Sequence, residues 1–166
     1  TSSVANKLNA IAIGSDAQAT KANATAFGDA AIASGNQSIA FGVNASSSAH
    51  SSMALGHLAN ASQDDSMALG HNANASGLVS LALGYTSRAS GANSTALGRG
   101  SRATKANSLA IGARANAINA GSTAIGTDSE TSRDDQLMLG KAATEVTVAN
   151  LANTSQASNA IVTANE

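Results

Sequence analysis

Ten of the fifteen glycines in this chain recur at one constant interval. Each lies 14 residues from the next, with no insertion or deletion: Gly14, Gly28, Gly42, Gly56, Gly70, Gly84, Gly98, Gly112, Gly126 and Gly140. Around each one the sequence repeats as polar, large apolar, Ala, large apolar, Gly, two variable residues and a small-variable-small triplet. A unit this short cannot close a core alone, so the period predicts a repeat protein whose units stack on one another.

The repeat is predicted to form strands rather than helices. Its alternation has a period of two: in the segment before Gly84, Leu81 and Leu83 point to one side, and Ser80 and Ala82 to the other. Ala favours helices, but a Gly and a Ser/Thr/Asn cluster in every repeat would break a helix each time. Helical hairpin repeats also need about 34 residues or more. The predicted fold class is therefore all-β.

Each coil is expected to contain two strands. Strand one covers the four residues before each repeated Gly, as in 66–69, and strand two is the small triplet, as in 73–75. Gly and Asn, which tolerate positive φ, make the turns. Stacking like on like gives two parallel sheets with coils about 4.8 Å apart, so ten coils make a rod roughly 45–50 Å long.

The composition predicts a thin interior. Of the 166 residues 39 are Ala, whereas Trp, Pro and Cys are absent and there are one Tyr and two Phe. A globular domain of this size normally fills its core with large and aromatic side chains. The small residues of both strands, such as Ala68, Ala73 and Ala75, fit the narrow gap between two sheets. Methyl groups are therefore expected to fill the core.

The large apolar residues of strand one are expected to face outward from this gap. They form two columns on one surface, named here the apolar face: Ile11, Ile13, Phe27, Ile39, Phe41, Met53, Leu55, Met67, Leu69, Leu81, Leu83, Leu97, Leu109, Ile111, Ile125, Leu137 and Leu139. Leaving them in water would forgo about 1.5–3 kcal/mol each, and the stripe would exceed what soluble monomers expose. The sequence therefore predicts an obligate oligomer in which these stripes pack along a shared axis. The alternative is a monomeric β-solenoid with the large residues inside the coil and Ala outside.

The repeat resembles that of a known family. A close match to the N-S-V-A-I-G head repeat of trimeric autotransporter adhesins of the YadA type is Asn107-Ser108-Leu109-Ala110-Ile111-Gly112, and segments 93–98 and 37–42 are variants of it. The resemblance extends over residues 9–140. It implies a left-handed parallel β-roll, which is a β-solenoid, of ten 14-residue coils assembled as a homotrimer. It also implies display on the outer membrane of a Gram-negative bacterium, facing the exterior of the cell.

Residues 1–140 are expected to form the head of 14-residue repeats, and 141–166 a terminal strand and a transition segment toward a neck or stalk. The repeat pattern decays toward this end of the sequence, since Met138 replaces Ala, and Thr131 and Glu145 replace small residues. Segment 141–148 is the candidate final strand. The resemblance implies a membrane anchor outside this sequence, and the neck motif usual in the family is not seen in it.

The sequence contains no constellation typical of catalysis or cofactor binding, so a non-enzymatic protein without cofactor or metal is expected. The histidines His50, His57 and His71 have no partners arranged as in a catalytic triad. His57 and His71 lie one repeat apart and should stack on a turn, but two ligands without a carboxylate in their column make a poor metal site. A phosphate loop of the G-x-x-x-x-G-K-[ST] type does not occur. The net charge of −1 gives no whole-chain attraction to nucleic acid.

Cations cluster in the second half of the repeat array. Residues 66–127 contain no acidic residue and hold five cations, named here the basic belt: Arg88, Arg99, Arg102, Lys105 and Arg114. Arg88 and Arg102 share a column on strand two, where the variable position should face solvent. Such a belt suits sulfated or sialylated glycans or anionic matrix proteins. The alternative interpretation is a solubilising surface that deters aggregation.

The sequence favours a surface-exposed adhesin head that attaches a bacterium to host extracellular matrix or cell surface by many weak contacts. The resemblance implies a matrix protein such as collagen, or a cell-surface glycan, as its partner. A rival function is a structural spacer or autoaggregation module without a host ligand of its own. An ice-binding β-solenoid is another, but its flat Thr ladder is interrupted here, because Thr25, Thr95 and Thr123 alternate with Ile, Met and Leu.

Overall fold

The computed structural model of the chain describes residues 2–141, and every regular element within them is a β-strand. Three-residue strands end at the residue before each repeated Gly, and two-residue strands lie between them. In chain order they are β1 Val4–Ala5, β2 Ile11–Ile13, β3 Gln18–Ala19, β4 Thr25–Phe27, β5 Ile32–Ala33, β6 Ile39–Phe41, β7 Ser46–Ser47, β8 Met53–Leu55, β9 Asn60–Ala61, β10 Met67–Leu69, β11 Asn74–Ala75, β12 Leu81–Leu83, β13 Arg88–Ala89, β14 Thr95–Leu97, β15 Arg102–Ala103, β16 Leu109–Ile111, β17 Asn116–Ala117, β18 Thr123–Ile125 and β19 Leu137–Leu139.

The strands form two parallel sheets that run the length of the roll. The even-numbered strands and β19 make a ten-stranded sheet, and the odd-numbered strands β1 to β17 make a nine-stranded one. Partners are one repeat apart: Met67 lies opposite Met53 on one side and Leu81 on the other. In the last coil Glu130 makes only an isolated bridge to Asn116 instead of a full strand. The predicted parallel β-solenoid of ten coils is thus confirmed.

The first turn of each coil explains the repeated glycine. Gly28 has φ of 135°, in a region that L side chains rarely adopt, and a Cβ there would lie 2.5 Å from the carbonyl oxygen of Gly42 in the next coil. Two residues after each repeated Gly from Gly14 to Gly126 comes a residue in the left-handed region, such as Asn44 with φ of 54°. Asn tolerates this conformation better than most residues. Glycine is therefore required both by the backbone angle and by the close approach of neighbouring coils.

The second turn ends in a buried serine. Before strand β6, Gln37 has φ of 59° and is followed by the fully buried Ser38. The Ser38 hydroxyl donates a hydrogen bond to the Gly35 carbonyl oxygen at 2.7 Å and accepts one from the Gly35 amide at 3.1 Å. The same position is Ser in most coils. The backbone amide of this position donates back into the turn whether the residue is Ser or Ala, as from Ser38 to the Gly35 carbonyl oxygen and from Ala24 to that of Lys21, so strand one has three residues rather than the expected four.

The interior is a layer of methyl groups, as predicted. Within residues 2–141, twenty-two alanines have no exposed surface, and Ala12 and Ala10 pack against them. The largest fully buried side chains in this range are Thr131 and a set of serines. A gap this narrow excludes large side chains, so the alternative with large residues inside the coil is wrong. The predicted strand at 141–148 and the transition segment beyond it lie outside the described residues, apart from Lys141.

Candidate binding surfaces

The apolar face covers the outside of the ten-stranded sheet. The alanine at the centre of each strand, such as Ala26, points into the core, and period-two alternation therefore turns its large neighbours outward. None of the seventeen large residues predicted for this face is buried, and their exposure reaches 52% at Ile13 and 62% at Leu137. Phe27 and Phe41 stack with ring centroids 4.6 Å apart. The result is a continuous apolar strip along the whole roll.

A second surface is a short column of rings on the first turn, named here the ring ladder. His57 and His71 lie in one column with ring centroids 4.9 Å apart and their planes tilted by 32°, and Tyr85 stacks on His71 at 5.1 Å. Tyr85 was not part of the predicted stack, although the same 14-residue interval relates it to His71. Within residues 2–141, no three His, Cys, Asp or Glu side chains come together in a way that could hold a metal ion.

The basic belt spans three neighbouring coils. Arg88 and Arg102 are direct partners in the pairing of β13 with β15, as predicted, and their side chains are exposed. Arg99, Arg102 and Lys105 belong to one coil: Arg99 lies on the first turn, Arg102 on strand two, and Lys105 on the second turn. The structure therefore places these four cations in two adjacent coils.

The fifth member of the belt, Arg114, is neutralised within the chain. Its Nε atom donates to Asp128 Oδ1 at 2.5 Å, and a second nitrogen donates to Asp128 Oδ2 at 2.8 Å. The hydrogen bond from Arg114 lowers the pKa of the Asp128 carboxyl. The charges of Arg114, Lys141 and Arg99 also lower this pKa, whereas partial desolvation raises it. The same pair raises the pKa of Arg114. Arg114 is therefore less available to an external anion than the other four cations.

Asparagines extend the Arg88–Arg102 column in both directions. Asn74 pairs with Arg88 and Asn116 with Arg102 in the same parallel register. The Asn116 side-chain amide donates to Glu130 Oε2 at 3.0 Å, and the buried Oδ1 atoms of Asn74 and Asn116 accept no hydrogen bond from the described residues. The arginine pair thus interrupts a column of neutral amides on the outer side of the nine-stranded sheet.

No segment among residues 2–141 is a helix long and apolar enough to cross a membrane. The two extended features of the described surface are the apolar face and the polar outer side of the nine-stranded sheet. The ring ladder lies on the turn between them.

Comparison with known proteins identifies this repeat. The family model described as the YadA head domain repeat (2 copies) matches residues 1–17, 5–31, 19–45, 47–73, 61–78, 75–101 and 103–129, which together exceed half of the chain. Among solved structures, the chain is similar to the crystal structure of the collagen-binding domain of the Yersinia adhesin YadA, with a TM-score of 0.63. The two are 27% identical, and the match covers 92% of this chain and 77% of that one. No curated protein sequence matches the chain.

Proposed function

Because the chain belongs to the YadA head domain family of trimeric autotransporter adhesins, we propose that it is a ligand-binding head that attaches a bacterium to host extracellular matrix. The observation that carries the proposal is the likeness, over 92% of this chain, to the collagen-binding domain of Yersinia YadA. Fold and family point to a binding protein rather than an enzyme. In this proposal the head is displayed on the outer membrane, facing the exterior of the cell.

The head assembles as a homotrimer through the apolar face. Burial of its seventeen large side chains would contribute roughly half or less of the ~1.5–3 kcal/mol each that full transfer from water is worth, because the single roll already covers part of every one, and association costs are subtracted from that. A strip of this length exceeds the apolar patches that soluble monomers leave in water. The family supplies the number three, and packing three such strips around one axis covers them all.

Attachment rests on repetition rather than on a deep pocket. Successive coils present similar outer positions about 4.8 Å apart, and collagen is itself a repetitive rod with Gly at every third residue. A periodic surface facing a periodic ligand can make many weak contacts at once, and three chains multiply them into avidity. A collagen-like matrix protein is therefore the proposed partner.

The test is binding of the 166-residue chain to immobilised collagen, measured by biolayer interferometry. We expect saturable binding that weakens at least tenfold in Leu69→Asp/Leu83→Asp, which places charges in the apolar face and removes avidity by dissociating the trimer. The volume-conserving control Leu69→Met/Leu83→Met should bind like the wild type. Absence of binding to collagen and to every other matrix protein tested would contradict the proposal.

A spacer or autoaggregation module is the second candidate, and the regularity of the roll favours it. Ten coils without an insertion make a straight projecting rod that needs no ligand of its own. This function predicts that beads coated with the head cluster with one another while the head binds no matrix protein.

A further inference from the structure

We propose that the outer side of the nine-stranded sheet carries a site for sulfated polysaccharides, centred on Arg88 and Arg102. The site is separate from the apolar face. It deepens the proposed adhesin function and rests on it, since it names a class of host-surface ligand that the head would engage.

The backbone places the two arginines side by side. Arg88 in β13 and Arg102 in β15 are direct partners, and neighbouring strands lie about 4.8 Å apart. The residues that follow them, Ala89 and Ala103, are fully buried, so alternation directs both guanidinium groups outward. Two guanidinium groups at this spacing can bind one sulfate together, or two sulfates of one polysaccharide chain.

The pair has no counter-charge of its own. The ion pair found among residues 2–141 joins Arg114 to Asp128 and involves neither Arg88 nor Arg102. Like charges directly opposite one another destabilise a strand pair, and the same column carries neutral Asn74 and Asn116 on either side. The sheet therefore holds two arginines where asparagine would fit with less repulsion, and an anionic ligand removes that repulsion.

Hydroxyl groups and a further cation border the pair. Ser90 and Thr104 each follow two residues after an arginine and so lie on the same side of the sheet. Lys105 is exposed on the turn next to Thr104. Hydroxyl groups and guanidinium groups can both donate hydrogen bonds to the oxygens of a sulfate. A planar guanidinium group donates two parallel hydrogen bonds to two oxygens of the same anion.

The limits of the patch favour a flexible polyanion over nucleic acid. Acidic residues bound it in the sequence, Asp64 and Asp65 before it and Asp128 and Glu130 after it. A stiff duplex lying along the rod, with one negative charge per about 1.7 Å, would meet those carboxylates. Single strands need aromatic platforms, and the single tyrosine, Tyr85, has one ring face covered by His71. A sulfated polysaccharide can bend to place its spaced charges on the cations alone.

The test compares binding of the whole chain to size-defined heparin oligosaccharides by isothermal titration at physiological salt. In Arg88→Asn/Arg102→Asn each arginine becomes the residue that its column already carries at 74 and 116, so the fold should be retained. We expect at least a tenfold loss of heparin affinity, with a melting temperature equal to or above that of the wild type. The control Lys7→Gln/Lys21→Gln removes the same charge at the far end of the roll and should stay within twofold of the wild type.

Three outcomes would overturn the site: no heparin binding by the wild type, unchanged binding by Arg88→Asn/Arg102→Asn, or equal affinity for hyaluronan or duplex DNA, which carry no sulfate. Collagen binding by the same proteins separates this site from the proposed function. Collagen binding without heparin binding removes the site and leaves the adhesin function. Heparin binding without collagen binding removes the collagen proposal and leaves the site.

Discussion

Individual residues carry the turns of this roll in an unusual backbone conformation. Among residues 2–141, seventeen non-glycine residues have positive φ, and ten of them are Asn or Asp, whose short polar side chains tolerate the left-handed region. Val79, with φ of 52°, is one of the other seven. A β-branched side chain there crowds its own carbonyl oxygen, and Val79 is also 51% exposed, so packing does little to offset the strain.

Replacing Val79 with Asn should therefore stabilise the protein by about 1 kcal/mol, because it relieves the left-handed strain. The measurement is the thermal or urea unfolding midpoint of the variant against the wild type. Val79→Ile is the matched control, since it keeps a β-branched residue at the position and should leave the midpoint unchanged. Equal midpoints for Asn and Val would show that the turn is not strained.

At the scale of the element, the buried serines that end the second turn differ in their hydrogen bonding. Ser38 donates to and accepts from Gly35 within the second turn. Ser94 holds the same position four coils later, and its hydroxyl is equally buried but has no hydrogen-bond partner among the described residues. A satisfied buried hydroxyl contributes to stability, whereas an unsatisfied one costs the free energy of its desolvation.

The two serines should consequently respond differently to the same substitution. Ser38→Ala is expected to lower the free energy of unfolding by about 1 kcal/mol, because the hydrogen bonds to Gly35 are lost. Ser94→Ala should be neutral or stabilising, since it removes an unsatisfied polar atom. Unfolding midpoints of the two variants measure the difference, and an equal loss in both would contradict it.

The Arg114–Asp128 pair links neighbouring coils on the first turn and gives them a pH dependence. The pKa of Asp128 lies below its ordinary value of 3.8 in the folded protein. A depressed folded pKa stabilises the fold above pH 3.8, and that contribution is lost as the pH falls from 3.8 through the folded pKa. We expect Arg114→Gln to raise the pKa of Asp128 toward 3.8, as followed by NMR titration of its carboxyl carbon.

The melting temperature provides an independent readout of the same pair. Arg114→Gln should melt below the wild type at pH 6, and the difference should shrink as the pH falls below 3.8 and Asp128 of the wild type becomes protonated. Asp128→Asn should melt like Arg114→Gln at pH 6. A difference between wild type and variant that stays constant as the pH falls would mean that the pair does not cause it.

At the scale of the whole molecule, the apolar face is the feature that a lone chain leaves unsatisfied. If three chains cover it, light scattering of the purified protein should give a mass of three chains per particle, independent of dilution over a wide range. Leu69→Asp/Leu83→Asp should lower that mass while circular dichroism still reports strands, because both side chains lie outside the methyl core. A stable wild-type species of one chain at dilute concentration would contradict the assembly.

The 14-residue interval predicts the fold well because it states which residues are neighbours. Alternation around Ala26 predicts which side of the sheet is apolar, and the structure confirms it. The interval between His57 and His71 places them in one column, where their rings are neighbours but tilted by 32°. Local contacts escape this reasoning. Grouping cations by position in the chain places Arg114 in the basic belt, whereas its neighbour one coil later, Asp128, forms an ion pair with it.

The pattern also does not predict the lengths of the strands, because backbone hydrogen bonds in the turn decide them. Alternation makes Ser38 the first residue of a strand, but its amide donates to the Gly35 carbonyl oxygen in the turn, and the Ala24 amide donates to Lys21 in the same way. The candidate binding surface is predicted only in part for the same reason. Composition locates the cations, but only the register of β13 and β15 shows which of them stand side by side without a counter-ion.

Because each coil of a solenoid contacts only the coils directly above and below it, whole repeats can be removed or added. Deleting one complete repeat, such as 71–84, would bring Gly70 before Tyr85 and keep the contacts between stacked coils. Duplication would lengthen the stack in the same increment of about 4.8 Å. The length of the roll can thus change in discrete steps of one repeat without a new core having to evolve.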